Sequence, residues 1–412
     1  MRDKDLYAQI LGIRYPWFVG EVELQLQEGE VIVHLELDPN YTLTCPVCGK
    51  ASPGYDTRRR RWRHLDTCQY RTVLVADVPR VECEEHGVHQ IDVPWSGRGA
   101  RFTALFEALA IDWMKEASLS AVRRLLGISW DEAAGIQERA VRRGLERRGA
   151  VSPKRIGVDE TSFQKGHEYV TVVSNQESAN VLYVADDRKQ GSLDGFYSDL
   201  NEEQRGEIES VSMDMWAPYI ASTQAYVPGA EEKIAFDKFH VAKHLGEAVD
   251  KVRRREHKAL VEQGCDDLKG TRYLWLRNAE KLSPQRWADL KVLRRRTLKT
   301  AEAWAVKEMA MSLWGYKTRT WARKAWKQCI HWAKLTDLGP VISVARMLEQ
   351  HLEGILNAIV LQATNALAEG INSRIQRIKR MAYGFRNRER FRQAILFHLG
   401  GLDLYPTALK RS

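Results

Sequence analysis

The sequence predicts a multidomain α+β chain: a small β-rich module, a short helical segment, an α/β core and a long helical stretch. Three observations predict it. Four of the six cysteines crowd into the first ninety residues. The apolar pattern changes its period near residues 100, 150 and 238. The length, 412 residues, suits about three domains of roughly 150 residues each. An apolar content of 44% supplies a sizeable core and excludes a largely disordered chain. No apolar run of about 18 residues occurs, so no membrane span is expected. The start, MRDKDLYAQI, has no secretory pattern, which predicts a cytoplasmic protein. The net charge of +9 hints at an anionic partner, but the clustering of basic residues says more.

The β module comes first. Residues 18–37 alternate, with Val22, Leu24 and Leu26 on one side, a turn at Glu28-Gly29-Glu30, then Val31, Val33, Leu35 and Leu37: a hairpin. Residues 71–83 read as a further strand. Cys45-Pro-Val-Cys48-Gly49 and Cys83-Glu84-Glu85-His86-Gly87 are two knuckles, each ending in glycine. A two-residue spacer lets both donors of a pair meet one tetrahedral ion, so Cys45, Cys48, Cys83 and His86 form a candidate structural zinc set. His89, His64 and Cys68 are alternative fourth ligands, and two cysteine pairs packed in a core are the plain alternative. Such a closed site holds a fold together and does not catalyse. Between the knuckles, Arg58, Arg59, Arg60, Arg61 and Arg63 surround Trp62. We read this segment as a loop that contacts phosphates rather than one merely solvated.

Ser96-Gly97-Arg98-Gly99 reads as a linker. Helices are expected over about 101–116, 118–126 and 129–148, with a turn at Gly127 and a cap at Ser129. A short helix, a glycine turn and a longer helix form the helix-turn-helix outline, which ordinary bundles share. The last helix would offer Arg139, Arg142, Arg143, Arg147 and Arg148 to DNA.

After a break at 149–153, residues 155–160, 168–174 and 180–186 read as a three-strand meander. A helical stretch near 192–205, a strand at Ile208–Met213, a helix at Pro218–Ala225 and a strand at Lys233–Phe236 follow. From 238 to 399 the chain reads as almost wholly helical, and the seven tryptophans in 250–335 read as helix-packing residues. Three strands, helix, strand, helix, strand, helix is the order of the ribonuclease-H-like fold. Its chemistry gathers carboxylates at one sheet edge to hold two divalent ions, Mg²⁺ or Mn²⁺. Asp159 lies near the end of the first strand and Asp214 ends the fourth; those strands are neighbours in this order. The third acid should come from a late helix. In 364–382, Leu367, Ile371, Ile375 and Ile378 make a buried stripe, and Asn365, Glu369, Asn372, Gln376 and Lys379 a polar one beside it. Glu369 therefore points along an edge; an ordinary surface glutamate is the plain alternative. Residues 374–392 then carry eight Lys or Arg against one acid, Glu389, a net +7 in nineteen residues, interleaved with Tyr383, Phe385 and Phe391. This is a nucleic-acid footprint, with Lys379, Arg380, Arg386 and Arg388 as its contacts.

Taken in order, these pieces resemble bacterial insertion-sequence transposases of the ISL-three family. The resemblance rests on Cys45-Pro-Val-Cys48-Gly49, Arg63-His64-Leu65-Asp66, Pro79-Arg80-Val81-Glu82-Cys83, Gly157-Val158-Asp159-Glu160, Met213-Asp214-Met215-Trp216, Phe236-Asp237-Lys238-Phe239-His240-Val241, Asn365 to Asn372 and Ile378 to Asn387. It implies a DDE transposase with Asp159, Asp214 and Glu369 at the acidic positions. It implies a helical insertion over 246–360 within a core of 155–245 and 361–400, behind a zinc-ribbon-like DNA-binding module at 1–95 and a helix-turn-helix domain at 100–150. It makes Asp237 and His240 further site candidates, with a structural histidine as the alternative. The implied partners are double-stranded DNA, both terminal inverted repeats and target, and a second copy of the chain on DNA. The rival reading is a DNA-binding regulator derived from a transposase and without catalysis. That rival would lack an acid, and all three are present.

Overall fold

The computed structural model describes residues 2–164, 168–295, 298–363 and 366–406. These fall into two compact units, residues 1–149 with the C-terminal segment from 402, and residues 150–401.

The first unit opens with α1 (Asp3–Leu11). A five-stranded sheet follows: β1 (Trp17–Gln25), β2 (Glu30–Leu37), β3 (Gly54–Arg63), β4 (Arg71–Cys83) and β5 (Gly87–Gln90). The expected hairpin pairs Trp17 with Leu37 through Gln25 with Glu30. Val31, Val33 and Leu35 are buried beside Trp17, Val19, Trp62, Leu74 and Val78. Leu24, on the edge strand β1, and Leu26, in the turn after it, are exposed, although Val31 opposite Leu24 is buried. The arginine segment is a strand and not the loop expected from its composition. β3 pairs with β4 from Gly54↔Val81 to Arg63↔Val73. It is anchored by Trp62, whose ring meets Trp95 edge-on at 5.4 Å; Trp17 meets the same ring at 5.0 Å. A charged edge strand also resists pairing with other chains.

Residues 96–99, expected as a linker, form a tight return instead. Ser96 Oγ donates to Phe102 O at 2.9 Å, Arg63 N to Arg101 O at 2.9 Å and Thr103 N to Arg63 O at 3.0 Å. Sheet and helices therefore share one body. The helices are α2 (Ala104–Glu116), α3 (Leu119–Leu126) and α4 (Trp130–Arg147). Thr103 caps α2 and Ser118 caps α3, Gly127 ends α3 at φ +64°, and Ser129 with Glu132 makes a reciprocal capping box on α4. Phe106, Ile111, Met114, Val122, Ile136 and Val141 are buried between them. Residues 402–405 return to this unit. Arg143 donates to Leu404 O at 2.8 Å, and Arg147 to Asp403 and to Tyr405 O. Gly144 lets them pass, since a Cβ there would meet Leu402 Cβ at 2.6 Å.

The second unit is built on β6 (Arg155–Gln164), β7 (Glu168–Asn175), β8 (Val181–Ala185), β9 (Ser210–Met213) and β10 (Ile234–Phe236), in the order β10-β9-β6-β7-β8. That is the order expected of the ribonuclease-H-like core. β9 lies parallel to both β6 and β10, and β7 and β8 are antiparallel neighbours. Between the strands run α5 (Gln190–Ser198), α6 (Glu202–Gly206), α7 (Ala217–Tyr226) and α8 (Ala230–Lys233). Ile156, Val158, Val211, Met213 and Phe236 join one buried cluster, together with the helices that follow β10. Those helices are α9 (Lys238–Glu262), α10 (Arg272–Leu276), α11 (Pro284–Arg294), α12 (Lys299–Ser312), α13 (Arg319–Leu335), α14 (Gly339–Gln350) and α15 (Leu352–Val360). Trp275, Trp304 and Trp326 are buried in this stretch. The buried Lys307 ammonium donates to the carbonyls of Trp275, Leu276 and Arg277, satisfying the C-terminal end of α10. α15 sits directly on β10: Asn357 Nδ2 donates to Glu231 O and Ile234 O at 2.7 Å, and a Cβ on Gly354 would meet the Phe236 ring at 2.4 Å.

The other face of the sheet is covered by α16 (Ala366–Met381) and α17 (Arg388–Leu399). Ile371, Ile375 and Ile378 pack with Phe163, Val170, Val172, Val181 and Val184, as the predicted stripe requires. Asn365, predicted on the polar stripe, lies outside the described residues. Among the described residues, no helix is long and apolar enough to cross a membrane.

Candidate active site and metal centre

The sulfurs of Cys45, Cys48 and Cys83 and a ring nitrogen of His86 lie within 4.8 Å of one another. Cys48 Sγ is 3.8 Å from Cys83 Sγ, and Cys83 Sγ is 3.5 Å from His86 Nδ1. Tetrahedral zinc with bonds of about 2.3 Å to sulfur and about 2.0 Å to nitrogen has edges of roughly 3.8 and 3.5 Å. The four side chains thus fit a structural zinc ion. Each knuckle closes on a glycine in the left-handed region, Gly49 at φ +74° and Gly87 at +72°. The hydrogen bond with His86 is the main cause that holds the Cys83 thiol down at about 6, towards the thiolate a metal needs. The alternative ligands are engaged elsewhere or outside the cluster. His64 is buried and 2.8 Å from Thr103 Oγ1, His89 Nε2 is 2.7 Å from His86 O, and Cys68 is exposed.

The acids meet where β9 and β10 end beside β6; Asp159, expected near the end of its strand, lies in its middle, because β6 runs on to Gln164 in its ladder with β7. β6 and β9 are paired at Arg155↔Ser210, Ile156↔Val211 and Gly157↔Ser212. Continued by two residues, this register sets Asp159 level with Asp214. β10 and β9 are paired to Phe236↔Met213. One further residue sets Asp237 level with Asp214. Three aspartates thus stand in a row across three parallel strands. Asp159 is partly buried. Burial, the largest cause, pushes its carboxyl up to about 6; the Glu160 amide and His240 act against that, and the charges of Glu160 and Asp214 add to it. Both its oxygens accept hydrogen bonds, from Glu160 N at 2.7 Å and from Asn372 Nδ2 at 2.7 Å. Asp214 accepts from Met215 N at 2.6 Å and faces His240 Nδ1 at 3.5 Å.

The predicted polar stripe of α16 runs along β6. Asn372 reaches Asp159, Gln376 donates to Thr161 Oγ1 at 3.0 Å, and Lys379 donates to Ser162 O at 2.8 Å. Glu369 lies three residues before Asn372, one turn along the same face, and is exposed. Among the described residues, Asp159, Asp214 and Glu369 do not gather their oxygens as closely as the thiolate cluster does.

The basic candidates separate into engaged and open groups. Arg139 and Arg143 turn inward to the buried Glu107, at 2.5 and 3.5 Å, and Arg143 also holds Leu404. Arg142 stays exposed beside Glu146. Arg60 lies over Trp62 and bonds Gln90, Arg61 pairs with Glu30, and Arg63 pairs with Asp66; Arg58 and Arg59 are open on the edge strand. In the late cluster Lys379 is used on β6 and Arg388 on Glu168, whereas Arg380 and Arg386 are exposed. Phe391 is core and Phe385 packs on it; of the three interleaved aromatics only Tyr383 is open. Sequence reasoning missed Arg188, which sits in an unpatterned turn after β8. It pairs with Glu160 at 3.3 Å and lies 4.6 Å from the Trp216 ring.

Comparison with known proteins agrees with this architecture. A family model described as transposase matches residues 156–395. One described as zinc-finger of transposase IS204/IS1001/IS1096/IS1165 matches 42–86, and one described as helix-turn-helix domain of transposase family ISL3 matches 91–141. The chain is 28% identical over 354 residues to the transposase for insertion sequence element IS1001 of Bordetella parapertussis, covering 85% of this chain and 87% of that protein. It is 26% identical over 422 residues to the transposase for insertion sequence element IS1557 of Mycobacterium tuberculosis, covering 94% and 93%. A metal-fitting cysteine ribbon, a helix-turn-helix unit that binds DNA and a five-stranded core edged with aspartates thus lie in the family's own order, and the chain belongs to the transposases of family ISL3.

Proposed function

We propose that this transposase binds the terminal inverted repeats of its insertion sequence, cuts the DNA there and joins the ends to target DNA by metal-dependent phosphodiester chemistry. The observation that carries the reading is the level placement of Asp159 and Asp214 on adjacent parallel strands, with the Glu369 helix fastened to the same strand through Asn372. Hard carboxylate donors at an open sheet edge fit Mg²⁺ or Mn²⁺, which keep several waters and take substrate oxygens as further ligands. Asp159, Asp214 and Glu369 would hold the ions. When bound, two such ions supply an activated water or 3′-hydroxyl and stabilise the leaving oxygen.

The chain's own residues do the rest. Asn372 and the Glu160 amide fix the Asp159 carboxylate through both oxygens. His240 orients Asp214 and stands within reach of a substrate phosphate, and Asp237 completes the acidic row. The exposed Arg380, next to Lys379 in the last turn of α16, and Arg386, five residues beyond that helix, draw the DNA backbone towards the acids. Arg58 and Arg59 on the ribbon and Arg142 on the helical segment contact phosphates at the element's ends. Bringing two ends together calls for at least two copies of the chain on DNA. No covalent link between protein and DNA is needed.

The test is a cleavage assay on labelled DNA from the ends of the gene's own locus, comparing wild type with Asp214→Asn, with and without magnesium while the ribbon's zinc is retained. Nicking at an inverted repeat in magnesium, reduced about 10³-fold or more in the variant while DNA binding persists, is expected. Tight binding by both proteins with no cutting by either, under conditions that allow two ends to meet, would replace the reading with that of a DNA-binding regulator.

A further inference from the structure

Trp216 follows Asp214 by two residues, and its side chain is 37% exposed at the acidic edge. Its ring is held in place all the same. Trp216 is the N-cap residue of α7, and Nε1 donates to Arg188 O at 2.9 Å. The polar atom of the indole is thereby satisfied inside the protein. The Arg188 guanidinium lies over the ring, and the ring's remaining exposed part carries no polar atom in need of a partner. The Arg188 guanidinium stands 4.6 Å from the Trp216 ring centroid and 4.7 Å from that of Tyr169, clamped by both. Glu160 engages it through Nη1 alone, at 3.3 and 3.4 Å. Its side chain remains 36% exposed, so further donors of the guanidinium face solvent. Glu160 follows Asp159 in β6, their side chains leaving the strand on opposite faces, and Trp216 follows Asp214 by two residues, so this cation and this ring stand on the segments next to the aspartate pair.

A DNA strand alternates flat bases with anionic phosphates. A fixed, open aromatic ring and a fixed guanidinium match that alternation. The local charge balance also calls for a cation. Asp159, Glu160 and Asp214 would repel an approaching phosphate, and Arg188 offsets them at the point of approach. We propose that Trp216 and Arg188 form a DNA-strand site beside the acids, Trp216 stacking one base next to the phosphodiester that is cut and Arg188 holding a neighbouring phosphate. This rests on the reading of the aspartate edge as the place of cleavage.

The experiment uses the full chain with its ribbon zinc retained and duplexes covering the terminal repeats that flank the gene, in buffer without magnesium so that only binding is read. One base at a time is removed through the end, leaving the backbone intact. Stacking of one base is worth about 5- to 150-fold in affinity. Wild type should lose affinity in that range at one position. Trp216→Ala should lose the same amount on intact DNA and nothing further when that base is absent, because a shared contact makes the two losses non-additive. Trp216→Phe should recover part of it. Arg188→Ala should lower the slope of log affinity against log salt by about 1. Base removal alters no protein residue, so it stands even if a variant folds poorly. Indifference of wild type to every removed base, losses that multiply at every position, or an unchanged salt slope in Arg188→Ala would overturn the assignment. Cleavage that proceeds normally without this coupling would sink the strand site alone. Coupling without any magnesium-dependent cleavage would sink the catalytic reading alone.

Discussion

The ribbon and the core each bring candidate metal donors together, and they do so in opposite ways. In the ribbon, three sulfurs and a nitrogen lie at near-tetrahedral spacing before any ion is considered. In the core, Asp159 and Asp214 are level on neighbouring strands, but Glu369 stands exposed on another element. The difference suits the roles proposed for the two ions. A structural zinc site is closed, and its binding energy is folding energy. A magnesium site that works on a phosphodiester must stay open, because the substrate supplies some of its oxygens. Soft donors packed by turns and hard donors spread on a sheet edge are therefore two solutions to two problems.

The largest expected effect comes from removing the ribbon's metal. Zinc sites of this type contribute about 10–16 kcal/mol in small peptides, as much as the whole net stability of a domain. Elemental analysis should find one zinc per chain. A chelator, or Cys83→Ser, should abolish the melting transition of the first unit and leave that of the second in place. An unshifted first transition would break the contrast.

A smaller effect follows from His64. Burial, with the charge of Arg63 adding to it, holds this imidazole at about 4, against about 6.5 in an unfolded chain. Between those values the unfolded state binds more protons. Stability is thus complete above pH 6.5 and falls as the pH drops towards 4, by roughly 3 kcal/mol. His64→Gln should flatten this fall. Zinc release by acid is followed in the same titration with a colorimetric indicator, which separates the two. A profile unchanged in the variant at constant zinc content removes His64 from the account.

The smallest effect sharpens the comparison from the other side. Because the carboxylates are not gathered, millimolar magnesium without DNA should raise the melting temperature of the second unit by less than about 1 °C. A rise of several degrees would mean that the acids are organised in advance, as the thiolates are.

Much of this was legible in the sequence where local pattern and tertiary outcome agree. Ile156 and Val158, Val211 and Met213, and the Ile371-Ile375-Ile378 stripe announce buried faces by their spacing, and the acids fall at the ends of those runs. Ser118 and Ser129 announce helix starts through chemistry confined to one turn. The two cysteine knuckles carry their own geometry. What was not legible depends on partners distant in the chain. The arginines of β3 show no apolar alternation, and only the β4 ladder makes that segment a strand. Nothing near Arg139 or Arg143 reveals that Glu107, thirty-two and thirty-six residues earlier, is buried and waiting for them. Phe385 and Phe391 looked like contacts for nucleic acid because a basic run surrounds them, yet they pack with Phe163. Arg188 had no signal at all, since its importance comes from three residues on three other segments.

The return of residues 402–405 to α4 carries a consequence for synthesis. Arg143 and Arg147 are made early, but Asp403, Leu404 and Tyr405, which receive them, are made about 260 residues later. At about 5–20 residues per second that interval is roughly 13–50 s. A chain still on the ribosome holds a DNA-binding unit whose last helix lacks its final contacts. Only a chain translated past residue 405 can make these contacts, so the first unit is completed after the whole of the second has been synthesised.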